Sequence, residues 1–321
     1  MEQRTTINAE KPMSVATPTY GREAIVLDTV AALLPQLRES DELLVIDQTP
    51  QHAENTHQQL QHWHDTSAIR WIRLERPSIT GAMNVGLQQA RAPIVLFLDD
   101  DIVPGENLLE AHRRCYADPA VWAVVGQVLQ PGEKPRRATA ARNGRGLRGG
   151  LEFPFNSIEP ADVNNVMAGN LSVRRDRALE IGGFDENFRA PVAYRFETEF
   201  ARRITAGGGR IRFEPAASIR HLRAGAGGTR SRGSHLTSMS PAHGVGDYYY
   251  ALRCGRGWQR IWYIARRPLR EVRTKFHLCH PWWIVPKLIG EFRGLALALR
   301  LAAGGPKLLE REAEKIEMNS S

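Results

Sequence analysis

The chain has 321 residues, 42% hydrophobic and 24% charged, enough for one large α/β domain with added helices; this composition excludes a disordered or fibrous chain. Its net charge of +8 is concentrated, because residues 251–300 hold nine arginines, two lysines and two glutamates, a net +9, so the other 271 residues sum to −1. A polyanion, whether a membrane surface, a nucleic acid or an acidic polymer, is therefore expected as a partner of the C-terminal segment and not of the rest.

The opening residues MEQRTTINAEKPM have no apolar signal core, and no run approaches the ~20 apolar residues that span a bilayer. A cytoplasmic protein is expected, able to sit peripherally on the inner face of a membrane. Cys115, Cys254 and Cys279 form no disulfide framework and no zinc spacing, which suits a reducing compartment.

Residues 14–17 read as a short apolar strand ending at Pro18, 24–37 as an apolar-rich helix, and 43–46 as a strand buried on both faces. A polar helix over 51–63, a strand over 69–74, a helix over 80–90 capped by Ser78 or Thr80, and an apolar strand over 94–98 follow. This alternation implies a mostly parallel sheet with helices on both faces, with ligands outside the carboxyl ends of the strands. Residues 131–150 and 222–244, rich in Gly and Arg, are expected to be mobile loops that donor binding protects. Between them lie a strand over 170–173, a short helix over 176–181 stopped by Gly182-Gly183, a helix over 196–206 and a strand over 211–213. From Gly246 the pattern is helical and amphipathic. The expected division is 1–244 as the catalytic α/β domain and 245–321 as a basic helical extension.

Three aspartates, Asp99-Asp100-Asp101, follow the apolar strand at 94–98. Side chains two apart in extended chain project to one side, so Asp99 and Asp101 converge while Asp100 faces away. Two adjacent carboxylates repel unless a cation joins them, and hard oxygen ligands suit Mn²⁺ or Mg²⁺, whose shell substrate phosphates can complete. The rival reading is a solvated acidic turn or helix cap before Pro104.

Six pieces in order, SVATPTYGRE, LLVIDQTP, ITGAMNVGLQQARAPIVLFLDDD, GNLSVRRDRALEIGGFDENF, FETEFARRITAGGGRIRFEP and IRHLRAGAGGTR, together resemble the family 2 glycosyltransferases. The resemblance runs from about Ser14 to about Arg230 and implies a GT-A fold: a Rossmann-like, mostly parallel sheet flanked by helices. It implies inverting transfer from a nucleotide-diphosphate sugar to a saccharide or lipid-linked acceptor, as in polysaccharide, glycolipid or glycoconjugate synthesis. Thr17, Pro18 and Tyr20 match the segment lining the nucleotide pocket, and Asp47 the acid that contacts base or ribose. Asn84 and Gly86 match the helix whose start packs under the donor. Asp99 and Asp101 match the DxD metal motif, with Asp101 the more direct ligand and Asp100 beside the donor. The GGFD turn ending in Asp185 precedes the acceptor region. In FETEF, Glu197 falls on the position of the general base, and Phe196 replaces an acid. Glu199, two residues on, points about 200° away and is expected in an ion pair with Arg202 or Arg203. His221 is expected to complete the metal shell, and Arg230 to grip the diphosphate.

The basic segment interleaves Trp258, Trp262, Tyr263, Trp282 and Trp283 with arginines, and Leu288, Ile289, Phe292, Leu295 and Leu299 recur at helical spacing. That stripe can lie on an anionic membrane or pack on the catalytic domain. Two rival functions fit less well. A sugar nucleotidyltransferase would carry a Gly-rich basic loop after the first strand, where PTYGRE stands. A nucleic-acid-binding protein would carry a recognition motif, and no nucleic acid partner is expected.

Overall fold

A computed structural model of the chain describes residues 11–137, 146–149, 151, 153–192, 194–225, 227–228 and 234–310. The first half alternates β1 (Met13–Thr19), α1 (Ala24–Leu33), β2 (Glu42–Asp47), α2 (Glu54–Asp65), β3 (Arg70–Arg73), α3 (Ile79–Gln89) and β4 (Ile94–Leu98). There follow β5 (Ile102–Pro104), α4 (Leu108–Cys115), β6 (Val121–Leu129), β7 (Ala161–Val163), β8 (Asn170–Arg174), α5 (Arg175–Glu180), α6 (Phe196–Ala206) and β9 (Arg210–His221). The chain then becomes helical: α7 (Val245–Cys254), α8 (Gly257–Val272), α9 (Lys275–Cys279) and α10 (Ile284–Ala303).

The strands form one nine-stranded sheet in the order β3-β2-β1-β4-β8-β6-β9-β5, with β7 paired to β9. The pairs β3-β2, β2-β1 and β1-β4 are parallel, and β8 runs antiparallel to both β4 and β6. Both faces of β2 and β4 are buried, as their unbroken apolar runs require. Pro18 lies inside β1 rather than after it. Pairing with β4 stops at Ala16, so the missing N–H leaves no gap in that ladder. Ser78 caps α3, its hydroxyl accepting from Gly81 N–H at 3.1 Å.

The C-terminal helices share the core of the sheet. Tyr248, Tyr249 and Tyr250 of α7 are fully buried in one cluster with Phe184, Phe200 and Leu171. Helices α8 and α10 pack on α7. Their joint contains buried charge. Asp247 accepts from Arg195, Tyr263 and Arg267, and Glu291 pairs with Arg267 and Lys287. The cationic partners hold the Asp247 carboxyl below its usual range although burial pushes it up. The apolar stripe expected of the last helix is split: Ile289, Phe292 and Leu299 are exposed, Leu295 packs against the core cluster, and Lys287, Gly290, Glu291, Gly294 and Ala298 face the protein. No described helix is long and apolar enough to cross a membrane.

Candidate active site

Strand β4 ends at Leu98, and the next three residues turn away from the sheet. Asp99 and Asp101 converge, as alternation predicts, and β9 delivers His221 between them. His221 Nε2 lies 3.3 Å from Asp99 Oδ2 and 3.4 Å from Asp101 Oδ1. One ligand atom from each of the three residues lies within 4.8 Å of the others. Two carboxylate oxygens and one imidazole nitrogen suit a divalent ion such as Mn²⁺. Asp101 is buried and aimed: its other oxygen accepts from Ala224 N–H at 2.9 Å and from Arg22 at 3.2 Å.

Asp99 is steered by backbone. Its N–H donates to Gly169 O, and a Cβ on Gly169 would stand 2.2 Å from Asp99 Oδ2. Gly169→Ala should therefore leave the fold intact, since half-exposed Asp99 can swing away, but lower Mn²⁺ affinity by about tenfold or more. Calorimetric titration with Mn²⁺, beside a melting curve, checks it; unchanged affinity would show that Asp99 is not a ligand.

His221 carries a further constraint. Its Nδ1 accepts from Arg223 N–H at 3.0 Å, while Nε2 faces the two carboxylates. Were Nε2 to hold a cation, the ring proton would sit on Nδ1, where it opposes the Arg223 N–H.

Asp100 turns to the opposite side. It accepts from Thr19 Oγ1 at 2.7 Å and from Arg22 Nε at 3.3 Å, and burial pushes its carboxyl up to about 6, aided by the two flanking aspartates. Arg22, itself buried, also donates to Ala224 O, so one guanidinium ties the β1 end, the aspartate turn and the segment after β9. Neither Arg22 nor Thr19 was singled out from sequence, although both lie within SVATPTYGRE.

These groups open on a cleft of about 370 Å³, within the range of small-molecule sites. Pro18, Tyr20, Asp99, Asp100, Asp101, Glu197 and His221 line it together with Arg22, Gln48, Gly169 and Gly227. Glu197 enters from the first turn of α6, with one oxygen accepting Ala168 N–H at 2.6 Å. Glu199 points into the protein and pairs with Arg203 through two bonds of 2.8 Å, the ion pair the helix geometry predicts.

Three expected donor residues are not on the cleft wall. Thr17 is fully buried. Asp47 is also fully buried and accepts from Thr49 N–H, His52 and Trp71, so its carboxylate is enclosed and Gln48 reaches the cleft in its place. Asn84 clamps the GGFD turn: it donates to Phe184 O at 2.9 Å and accepts Phe184 N–H at 2.7 Å. Gly183 fits there because its φ is +61° and a Cβ would meet Asn84 Oδ1 at 2.5 Å. Asp185 accepts from Tyr249 and from the Asn187 and Lys307 N–H groups, away from the cleft. Arg230 lies outside the described residues.

Comparison with known proteins gives a consistent picture. The model of "Glycosyl transferase family 2" matches residues 14–180, just over half the chain. The pre-mycofactocin glycosyltransferase of Mycobacterium tuberculosis is 28% identical over 142 residues, 44% of this chain and 29% of that protein. The validoxylamine A glucosyltransferase of Streptomyces hygroscopicus subsp. limoneus is 26% identical over 115 residues, 35% of this chain and 25% of that one. The chain thus spans less than a third of these curated relatives. Among solved structures, GalNAc-T7 with UDP, GalNAc and Mn²⁺ superposes with a TM-score of 0.59 at 14% identity, covering 83% of this chain and 52% of that one. The mannosyltransferase PcManGT from Pyrobaculum calidifontis, in complex with GDP-Man and Mn²⁺, gives 0.52 at 18% identity, with 92% and 80% covered. These likenesses establish the GT-A fold.

Proposed function

The chain belongs to glycosyl transferase family 2, and on that premise we propose that it moves a sugar from a nucleotide-diphosphate sugar to an acceptor hydroxyl with inversion. The observation that carries this reading is the convergence of Asp99, Asp101 and His221 with Glu197 on one cleft. Pro18, Tyr20 and Gln48 would border the nucleoside, with Thr17 and Asp47 supporting them from behind and Asn84 holding the turn beneath. Asp99, Asp101 and His221 would hold Mn²⁺ or Mg²⁺, a Lewis acid that offsets the charge of a departing diphosphate. Arg230 is assigned to the same diphosphate from its place in GGTR alone. Glu197 takes the proton of the acceptor hydroxyl as that oxygen bonds to the anomeric carbon and the diphosphate leaves with the bonding pair. The acceptor is a saccharide or a lipid-linked saccharide.

The direct test is release of nucleoside diphosphate from a panel of UDP- and GDP-sugars with Mn²⁺, Mg²⁺ or chelator. Donor binding should raise the melting temperature in a cation-dependent way. Failure of every nucleotide sugar to do so would overturn the reading. Hydrogen exchange adds a local check. Because Arg223 N–H meets His221 Nδ1 and Ala224 N–H meets Asp101 Oδ2, the amides of Arg223, Ala224 and Gly228 should change protection on addition of Mn²⁺ and donor. Unchanged exchange there would remove His221 from the ligand set.

A further inference from the structure

We infer that the C-terminal helices seat the protein on an anionic lipid bilayer, apolar face first, without crossing it. The inference rests on surface placement and not on the donor site. Of the fifteen large hydrophobic residues exposed on the described surface, ten lie between Trp258 and Leu299. They fall on defined sides of their helices. On α8, Trp258, Ile261, Trp262 and Leu269 share one face, while Tyr263 and Arg267 are buried. On α10, Val285, Ile289, Phe292 and Leu299 lie opposite the inward side. At 100° per residue the centres of those two sides are about 160° apart. Both helices pack on α7, so their apolar faces look away from it.

The exposed side of α10 is the informative feature. A helix of a water-soluble protein turns its apolar stripe inward. Here Gly290 and Gly294 let the inward side approach the backbone of residues 238–245, and Lys287 and Glu291 enter a buried ion network. Val285, Ile289, Phe292 and Leu299 are left outside, Phe292 at 62% exposure, beside Trp258 of α8 at 72%. Nothing among the described residues covers them.

Charge identifies the occupant. Between residues 255 and 303, eight Arg or Lys side chains are exposed, among them Arg256, Arg260, Arg266 and Arg273. The acids of this stretch are Glu271 and Glu291, both held in ion pairs with Arg267 and Lys287. Arg266 lies over the Trp262 ring at 5.1 Å, joining a cation to an aromatic of the apolar face. A free polyanion would satisfy the arginines and leave the tryptophans wet. A second copy of this chain, facing itself, would bring these like charges together. An interface of acyl chains beneath anionic headgroups satisfies both at once.

The test is flotation and tryptophan fluorescence of the full chain with phosphatidylcholine vesicles, with and without phosphatidylglycerol. The expected result is binding with a blue shift on anionic vesicles, weakened by salt, and weak binding to neutral ones. Replacing Trp258, Trp282 and Phe292 together by serine, at positions all more than 60% exposed, should leave the melting temperature unchanged and lower vesicle affinity by about tenfold or more. Equal affinity of this variant would overturn the inference in favour of a purely electrostatic site. So would tighter binding to heparin or RNA than to vesicles. Self-association that the same variant abolishes, without vesicle binding, would reassign the face to a second copy of the chain. Donor-dependent stabilisation, measured without lipid, reports the active site separately, so the two readings fail independently.

Discussion

Asp101→Ala is expected to abolish cation-dependent nucleotide binding and to lower transfer by about a thousandfold or more, since charge stabilisation at such a site is worth several kcal/mol. Asp101 is the residue on which the cleft converges. One oxygen faces His221, while the other is fixed by Ala224 N–H and Arg22. Asp101→Asn separates function from folding, because the amide can keep the Ala224 bond while the charge is lost. Asp100→Ala should act differently. Its carboxylate is bound by Thr19 and Arg22, so its removal leaves a buried guanidinium short of one partner and costs about 1–3 kcal/mol of stability. Its transfer rate should fall less than that of the Asp101 variants. Melting curves, Mn²⁺ titration and product formation on the three variants check this pattern. Full activity of Asp101→Asn would remove the aspartate turn from the catalytic site.

What could be read in advance followed from local rules, and what could not depended on topology. Strands β2 and β4 were legible because a strand buried on both faces is an unbroken apolar run. Strand β9 was expected over three residues and spans twelve. Its Pro215 lies where the pairing with β6 jumps from Gly126–Glu214 to Gln127–Ser218, and that irregularity breaks the alternation a reader would look for. The Asp99/Asp101 pairing was legible because strand geometry alone sets it. Arg22 was not, because its contact with Asp100 joins residues 78 apart through the neighbouring ends of β1 and β4. Asp47 shows the reverse failure. A carboxylate at a strand end was expected to meet ligand, but adjacent β3 supplies Trp71 and the loop after β2 supplies His52, and together they enclose it. Periodicity located the apolar positions of α10, yet only tertiary packing decides that Leu295 packs on the core while Ile289, Phe292 and Leu299 face out. The family match ends at residue 180, before Glu197 and His221, so geometry must carry the argument for both.

Glu197→Gln is expected to retain donor binding and to lose about a hundredfold to ten-thousandfold in transfer rate, the usual contribution of a positioned base. Glutamine keeps the length of the side chain and an oxygen for Ala168 N–H, so the first turn of α6 need not move. It cannot accept the acceptor's proton. The loss should therefore appear in kcat and leave donor affinity nearly unchanged. Phe196, which replaces an acid at the preceding position, is buried against Phe184 and offers no substitute carboxylate. Of the two acids in the nearby turn, Asp185 is committed to Tyr249 and to the Asn187 and Lys307 amides, away from the cleft, and Glu186 accepts from Asn84. The control is Glu199→Gln. Glu199 is buried on the opposite side of α6 and joined to Arg203 by two bonds, so this change should lower the melting temperature while the remaining folded enzyme turns over normally. The two variants thus differ in kind: one loses rate at constant stability, the other stability at constant rate. Measuring kcat, donor affinity and melting temperature for both decides the matter. Normal turnover in Glu197→Gln would place the base elsewhere, and a rate loss confined to Glu199→Gln would shift the catalytic position two residues along the helix.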